Sequence, residues 1–236
     1  MRDSVATTYK DGTYAAANPG CGEENAAWKA GQVLRMIQKG GINPRTVCEV
    51  GCGSGGILSH LHGNMPPSVC FTGVEPMPEA FEKCSARSGE RLTFLHDTAD
   101  SLSETFDLVL LLDVFEHVED YMGFLRSLRR LGRQFIFHIP LDMTAQMVIR
   151  DEPIMRVRKA VGHLHYFNKN TALATLQDTG YEVQDWFYSD LTNAASASLR
   201  FKLMKLPRRI LMKIAPDFAV RLLGGNPLTV LARPAA

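Results

Sequence analysis

Short apolar runs alternate with amphipathic stretches along most of the chain. Strands are predicted at the runs Arg45–Val50, Val69–Val74, Arg91–His96, Phe106–Leu112, Arg133–Ile139, Tyr181–Tyr188 and Leu228–Ala232. Helices are predicted at Glu23 to about Gly40, Ile57–His62, Met77–Ser88, Tyr121–Leu131 and Asn170–Gly180. This alternation predicts an α/β fold, with a mainly parallel seven-stranded sheet, helices on both faces and an N-terminal helical cap.

Two stretches depart from the alternation. Leu141–Phe167 has no clean period, and we interpret it as an excursion beside the active site. Residues 199–223 look helical and insert between the last two strands. Within residues 200–213, six basic residues have no acid between them: Arg200, Lys202, Lys205, Arg208, Arg209 and Lys213. A basic amphipathic helix is typical of a lid packed on the sheet, which we favour, or of weak contact with a membrane surface through 199–214.

Composition bounds the class of protein. The 236 residues carry a formal charge of +1, so no nucleic-acid partner is expected. The five cysteines form no CxxC pair, which favours reduced thiols and a cytoplasmic location. The polar N-terminus lacks a signal peptide, and no apolar run is long enough for a membrane span. We predict a mobile arm at 1–22 and one domain at 23–236, with a lid-like segment at about 191–226.

A glycine-rich turn follows the first predicted strand. Its sequence, Glu49-Val50-Gly51-Cys52-Gly53-Ser54-Gly55-Gly56, lies between a strand and a helix. Glycines allow a sharp turn and a close approach of a ligand to the backbone, and the helix offers free N–H groups. The same letters satisfy GxGxxG, so a dinucleotide site is one alternative. A tight connection without a ligand is the other.

An acidic residue ends the second predicted strand. Glu75 can accept hydrogen bonds from ribose hydroxyls, as acids at this position of a nucleotide-binding sheet do. The glycine turn and this acid together favour an adenosine-type ligand. A 2′-phosphate would be repelled by the carboxylate, so the pattern disfavours NADP.

Three segments carry a family resemblance. CEVGCGSG resembles motif I of the class I S-adenosylmethionine (SAM)-dependent methyltransferases. FDLVLLLDVFEHVED, Phe106–Asp120, is similar to a segment of their small-molecule branch, which includes ubiquinone-biosynthesis-type O-methyltransferases. GHLHY, Gly162–Tyr166, followed by Gly180–Val183, weakly resembles the end of those domains. The resemblance covers about residues 23–190 and implies a Rossmann-like fold, SAM as cofactor, S-adenosylhomocysteine as product and methyl transfer to a small organic acceptor, preferentially at oxygen.

The resemblance also implies a set of cofactor-binding residues. The methionine part of SAM would lie along Glu49, Gly51, Cys52 and Gly53, with Glu75 on the ribose. The adenine would lie by Pro76 and Met77, and its amino group would bind Asp97, which the chemistry favours, although the spacing favours Thr98. Leu112 and Asp113 would close over the cofactor. Trp28 and Lys29 of the leading helix could cap it.

Methyl transfer to a hydroxyl needs a general base, and four histidines are candidates. His117 and His138 are the predicted catalytic residues, because each follows or ends a strand at the edge where such sheets bind ligands. Trp28, His163, His165 and Tyr166 are predicted to line the substrate pocket. Each histidine is also compatible with a packing role. A metal would need Asp142 or Glu152 beside His163 and His165, and no metal is predicted.

Two other functions fit parts of the pattern. An NAD-dependent oxidoreductase would use the GxGxxG spelling but leaves FDLVLLLDVFEH unexplained. A silent SAM-fold protein would bind the cofactor and transfer nothing. The family usually joins its last two strands by a short hairpin, whereas roughly 35 residues are predicted there, so the resemblance does not identify the acceptor.

Overall fold

A computed structural model describes residues 20, 22–150, 152–189 and 205–235, and for residues 205–209 the backbone only. One sheet contains the strands β1 Thr46–Val50, β2 Cys70–Val74, β3 Leu92–Leu95, β4 Phe106–Leu112, β5 Gly132–Ile139, β6 Tyr181–Tyr188 and β7 Leu228–Pro234. The helices around it are α1 Ala26–Gly40, α2 Gly56–Asn64, α3 Pro78–Ser85, α4 Tyr121–Leu128, α5 Ala145–Arg150, α6 Glu152–Val161, α7 Lys169–Asp178, α8 Lys205–Ile214 and α9 Pro216–Leu223.

The sheet has the order β3-β2-β1-β4-β5-β7-β6. Strands β1 to β5 are parallel, and β7 runs antiparallel between β5 and β6. This confirms the predicted Rossmann-like fold, with β7 and β6 as its antiparallel part. The chain leaves β1 toward β2 on one side and later returns to β4 on the other. Such a reversal of strand order opens a crevice at the carboxyl ends of the strands.

Strand β4 lies at the centre of the core. Leu108 and Leu110 pack with apolar residues of α1 and α2, while Val109 and Leu111 pack with residues of α4 and α7 on the other face. A strand covered on both faces has no polar side, which explains its continuous apolar run. The burial of β4 fixes the position of Leu112 at the carboxyl edge of the sheet, and therefore the positions of the residues that follow it.

The stretch Leu141–Phe167 is more regular than its sequence suggested. It contains α5 and α6, and neither helix has a fully buried side chain. The prediction of this stretch as irregular was therefore incomplete. The predicted insertion between β6 and β7 is present, and α8 and α9 lie in it. Residues 190–204 of that insertion, and residues 1–19 and 21 of the predicted arm, lie outside the described residues.

No helix in the described part of the chain combines the length and the apolar character that a membrane crossing requires.

Candidate active site

The glycine-rich turn leaves β1 at the carboxyl edge of the sheet. The N–H groups of Gly51 and Cys52 both donate to the Val74 carbonyl, at 2.8 and 3.2 Å, which ties the turn to the end of β2. Gly51, Gly53 and Gly55 have φ of 70°, 54° and 75°. This left-handed backbone is readily available only to glycine. The spacing of these glycines is therefore a requirement of the turn, and α2 begins directly after it.

Glu75 joins the turn to the start of α3. Its carboxylate accepts a hydrogen bond from Gly53 N–H at 2.8 Å and another from Met77 N–H at 2.9 Å. Burial raises the pKa of Glu75, while these two N–H groups favour its ionised form. The carboxylate retains lone pairs beyond those two bonds. The two features that predicted an adenosine ligand are thus in direct contact.

Glu49 supplies a second buried carboxylate beside the turn. It is 1% exposed, and its Oε2 has no hydrogen-bond partner among the described residues. Burial raises its pKa to about 8. An unpartnered buried acceptor is costly unless a ligand completes it, and the positively charged methionine end of SAM has the required donors. The residues around the turn therefore fit this cofactor.

The buried Glu49 carboxyl predicts a pH-dependent stability. Its folded pKa lies above its unfolded value of about 4.5, so its contribution is complete at low pH and is lost as pH rises toward 8. Relative to Glu49→Gln, the wild-type free energy of unfolding should fall by about 4 kcal/mol over that range. Urea unfolding of both proteins at several pH values measures it. If the free energies of unfolding of the two proteins changed with pH in the same way, the raised pKa would not belong to Glu49.

Asp113 lies immediately after β4 in a strained conformation. It is the one non-glycine residue of the described ranges with positive φ, at 59°. Its Oδ2 lies 2.7 Å from Lys29 Nζ of α1, and its Oδ1 lies 2.6 Å from His138 Nδ1 of β5. Burial opposes ionisation of Asp113, but His138 and Lys29 outweigh it and hold its pKa well below the ordinary value. Two charged or polar partners offset the backbone strain.

His138 is 3% exposed and lies near the carboxyl end of β5. With Nδ1 on Asp113, its Nε2 has no hydrogen-bond partner within the described chain. The Trp28 ring packs edge-on against it, with ring centroids 5.6 Å apart. A histidine held through Nδ1 by a carboxylate presents Nε2 as a proton acceptor.

A second polar cluster contains the buried residues Glu116 and His163 and the partly buried His117. Glu116 and His117 end the short 3-10 helix Phe115–His117, and their candidate ligand atoms and that of His163 all lie within 4.8 Å of one another. His163 Nδ1 also lies 2.6 Å from Asp142 Oδ2. Burial raises the pKa of Glu116 and, together with His163, lowers that of His117 to about 4, so His117 is neutral near pH 7. These three residues could hold a metal ion, and the sequence-based expectation of no metal stays a prediction.

Residues 25–185 match the model of a methyltransferase domain family. The chain belongs to this family, within the class I SAM-dependent methyltransferases. An ubiquinone biosynthesis O-methyltransferase of Pseudomonas paraeruginosa is 30% identical over 161 residues, which cover 63% of this chain and 69% of the relative.

Two solved structures support the fold of this methyltransferase. Magnesium protoporphyrin IX methyltransferase of Synechocystis, solved with S-adenosylhomocysteine, aligns with TM-score 0.60 and 15% identity over 89% of this chain and 83% of the other. An N-methyltransferase of Bradyrhizobium japonicum, also with S-adenosylhomocysteine, aligns with TM-score 0.56 and 13% identity over 88% and 86% of the two chains. At these identities the likeness concerns the fold.

The other residues predicted for the methyltransferase site follow the same sheet edge. Cys52, Met77 and Leu112 are buried, whereas Pro76 is exposed. Asp97 and Thr98 are both exposed just after β3, and Asp97 Oδ1 accepts a hydrogen bond from Thr98 N–H at 2.7 Å. The choice between them for the adenine amino group stays open.

The segment predicted to line the substrate pocket is tied to the loop after β4. The N–H groups of Leu164 and His165 donate to the Glu116 carbonyl at 2.8 and 3.1 Å, and His165 Nε2 lies 2.9 Å from the Val118 carbonyl. Tyr166 Oη donates to the His163 carbonyl at 3.1 Å. The His165 side chain therefore contacts the loop after β4, whereas His163 Nδ1 contacts Asp142, which follows β5.

One contact of the turn was missed by the sequence reasoning. Glu23, in the short 3-10 helix Glu23–Asn25, accepts hydrogen bonds from Ser54 Oγ at 2.7 Å and from Arg87 Nη2 at 2.9 Å. It connects the N-terminal cap to the glycine turn. Acids before a first helix are common, so no spacing rule in the sequence would have identified this one.

Loss of the Lys29 charge should destabilise the methyltransferase. Lys29→Met would leave the partly buried Asp113 with one partner, and we expect a loss of about 3 kcal/mol in the free energy of unfolding at pH 7. Lys39→Met is the matched control, since Lys39 pairs with Asp185 on the surface, and it should cost about 1 kcal/mol or less. Both free energies of unfolding are measured by urea unfolding. Equal losses in the two variants would show that the Lys29–Asp113 pair contributes no more than a surface ion pair.

Proposed function

We propose that this methyltransferase transfers a methyl group from SAM to a hydroxyl oxygen of a small organic acceptor, with His138 as general base. The observation that carries the proposal is the Asp113–His138 pair, in which Nδ1 is held at 2.6 Å and buried Nε2 lacks a partner. Its position at the carboxyl ends of β4 and β5 is where sheets of this order bind ligands. The similarity to an ubiquinone biosynthesis O-methyltransferase supports the choice of oxygen.

The residues at the turn would hold the cofactor. Glu49 and the backbone of Gly51–Gly53 would receive its methionine end, and the free lone pairs of Glu75 would accept the ribose hydroxyls. Met77 would pack against the adenine, with Asp97 or Thr98 toward its amino group. SAM supplies an already activated methyl group, so the protein's main task is to position the acceptor and exclude water.

A hydroxyl acceptor must lose its proton, and the Asp113–His138 pair provides a group that can accept it. With the Nδ1 proton donated to Asp113, His138 Nε2 accepts the acceptor's proton. The resulting imidazolium is stabilised by Asp113, and Lys29 keeps that carboxylate ionised. The same arrangement orients the ring, since the carboxylate fixes the tautomer.

His117 is the weaker of the two predicted bases. Burial and the neighbouring His163 lower its pKa to about 4, so it binds a proton poorly near pH 7. We assign His117 instead to the pocket wall, together with Trp28, His163, His165 and Tyr166. In this proposal, the side chains of the pocket wall contact the acceptor.

We further propose a cytoplasmic, single-domain protein without a nucleic-acid partner. The four cysteines in the described part of the chain are free thiols, which supports a reducing compartment. A lid-like segment is proposed at about 191–226, of which residues 205–226 lie within the described part of the chain. Weak membrane contact through 199–214 is proposed as well, although only 205–214 lies within the described residues.

A transfer assay tests the proposed reaction. The protein is incubated with methyl-labelled SAM and, separately, with catechol, aniline and a thiophenol, and labelled product and S-adenosylhomocysteine are followed by mass spectrometry. We expect label on the catechol oxygen. Label on aniline alone would contradict transfer to oxygen. Cofactor binding without transfer to any acceptor class would favour a silent SAM-fold protein.

A further inference from the structure

The apolar surface of this protein is concentrated in two segments. Large apolar side chains that are exposed in the described part of the chain all lie between residues 143 and 155 or between 210 and 222; these are Met143, Val148, Ile149, Met155, Ile210, Ile214, Phe218 and Leu222. The most exposed are Ile149 at 82% and Ile214 at 77%. Scattered apolar residues are normal on a surface, but their confinement to one region marks an interaction site.

The two segments form one continuous helical layer. Helix α9 packs against both α5 and α8, and α5 packs against α6. The Gln146 side chain donates to the Leu223 carbonyl, which joins α5 to the end of α9. We call the outer side of α5, α6, α8 and α9 the docking face. It lies at the carboxyl edge of the sheet, because its segments begin after the carboxyl ends of β5 and β6.

The charge of these helices differs from that of the rest of the molecule. Residues 145–161 and 205–223 contain nine basic and three acidic residues, a net charge of +6, whereas the whole chain carries +1, so the remainder carries −5. Two of the three acids are neutralised locally: Glu152 pairs with Arg156, and Asp217 pairs with Lys169. An apolar surface with an excess of arginine and lysine complements a negatively charged layer with an apolar interior.

We propose that the docking face binds the surface of an anionic lipid bilayer. The apolar side chains would enter the boundary between headgroups and acyl chains, while the basic side chains would remain at the phosphate level. Binding would turn the carboxyl edge of the sheet, with the candidate active site, toward the membrane. The inference extends the membrane contact proposed for 199–214 to α5, α6 and α9, and it rests on that part of the proposed function.

Vesicle sedimentation of the full chain tests the docking face. Vesicles of phosphatidylcholine alone are compared with an equal mixture of phosphatidylcholine and phosphatidylglycerol. We expect binding to the mixed vesicles, little binding to the neutral ones and release at high salt. Ile149→Glu and Ile214→Glu should each weaken binding about tenfold or more. Ala86→Glu adds the same charge at an exposed position outside the face and should bind like wild type.

Three results would overturn the inference: equal binding to both vesicle types, no binding to either, or face variants that bind like Ala86→Glu. Self-association that Ile214→Glu abolishes, without vesicle binding, would make the face an interface between copies. Affinity for S-adenosylhomocysteine, measured on the same variants, checks that they fold. Methyl transfer to a water-soluble acceptor is assayed in parallel, so failure of the proposed reaction is distinguished from failure of membrane binding.

Discussion

Replacing His138 with glutamine should lower the rate of methyl transfer by about 10²- to 10⁴-fold. Glutamine can occupy the same buried place and still contact Asp113, but it cannot accept a proton from a hydroxyl. Affinity for S-adenosylhomocysteine should stay close to that of wild type, because His138 is assigned to the acceptor and not to the cofactor. Single-turnover kinetics and calorimetry measure the two quantities separately.

His117→Gln is the matched comparison. His117 is partly buried and lies near the same edge, but its pKa of about 4 makes it a poor base, so the rate should fall less than tenfold. The assignment would be wrong if His138→Gln transferred methyl groups at the wild-type rate. Equal losses in both variants would instead indicate a shared structural role for the two histidines.

Glu75→Ala should weaken binding of S-adenosylhomocysteine by about 100-fold or more. The carboxylate is expected to accept the ribose hydroxyls, and hydrogen bonds to a charged group contribute about 1.5–3 kcal/mol each. The substitution also removes the acceptor of the Gly53 and Met77 N–H groups, which loosens the turn and the start of α3. Calorimetric titration gives the dissociation constants.

Two further variants separate the ribose contact from a change in charge or fold. Glu79→Ala removes an exposed carboxylate from the first turn of α3 and should leave the affinity unchanged. Glu75→Gln should keep the turn in place yet still bind less tightly than wild type, since an amide is a weaker acceptor. If Glu75→Ala bound S-adenosylhomocysteine as tightly as wild type, Glu75 would not be the residue that accepts the ribose hydroxyls.

The sequence was sufficient for the parts of the fold in which local pattern and burial agree. Strand β4 was predicted with its observed bounds because both of its faces are covered, and its apolar run has no other explanation. The glycine turn and Glu75 were predicted to act together because only glycine suits the turn and because the acid ends the next strand. Their hydrogen bond at 2.8 Å confirms that the two are in contact.

Other features could not be read from the sequence. Helix α5 has six residues, which is less than two turns and too short to show a helical period, and neither α5 nor α6 buries a side chain completely in the core. Asp113 was predicted to close over the cofactor, yet its contacts with Lys29 and His138 join three distant parts of the chain. Polar contacts between residues far apart in the chain do not change the hydrophobic periodicity of the sequence, so the pattern cannot predict them. For the same reason, the approach of His163 to Glu116 and His117 was not predicted.

The central claim is that one crevice, between the turn after β1 and the acid after β2, holds an adenosyl sulfonium. Calorimetric titration of the wild-type protein with SAM, S-adenosylhomocysteine and NAD tests it most directly. We predict saturable binding of SAM and of S-adenosylhomocysteine at one site, and no heat of binding from NAD. Binding of NAD with no response to either adenosyl compound would contradict the account.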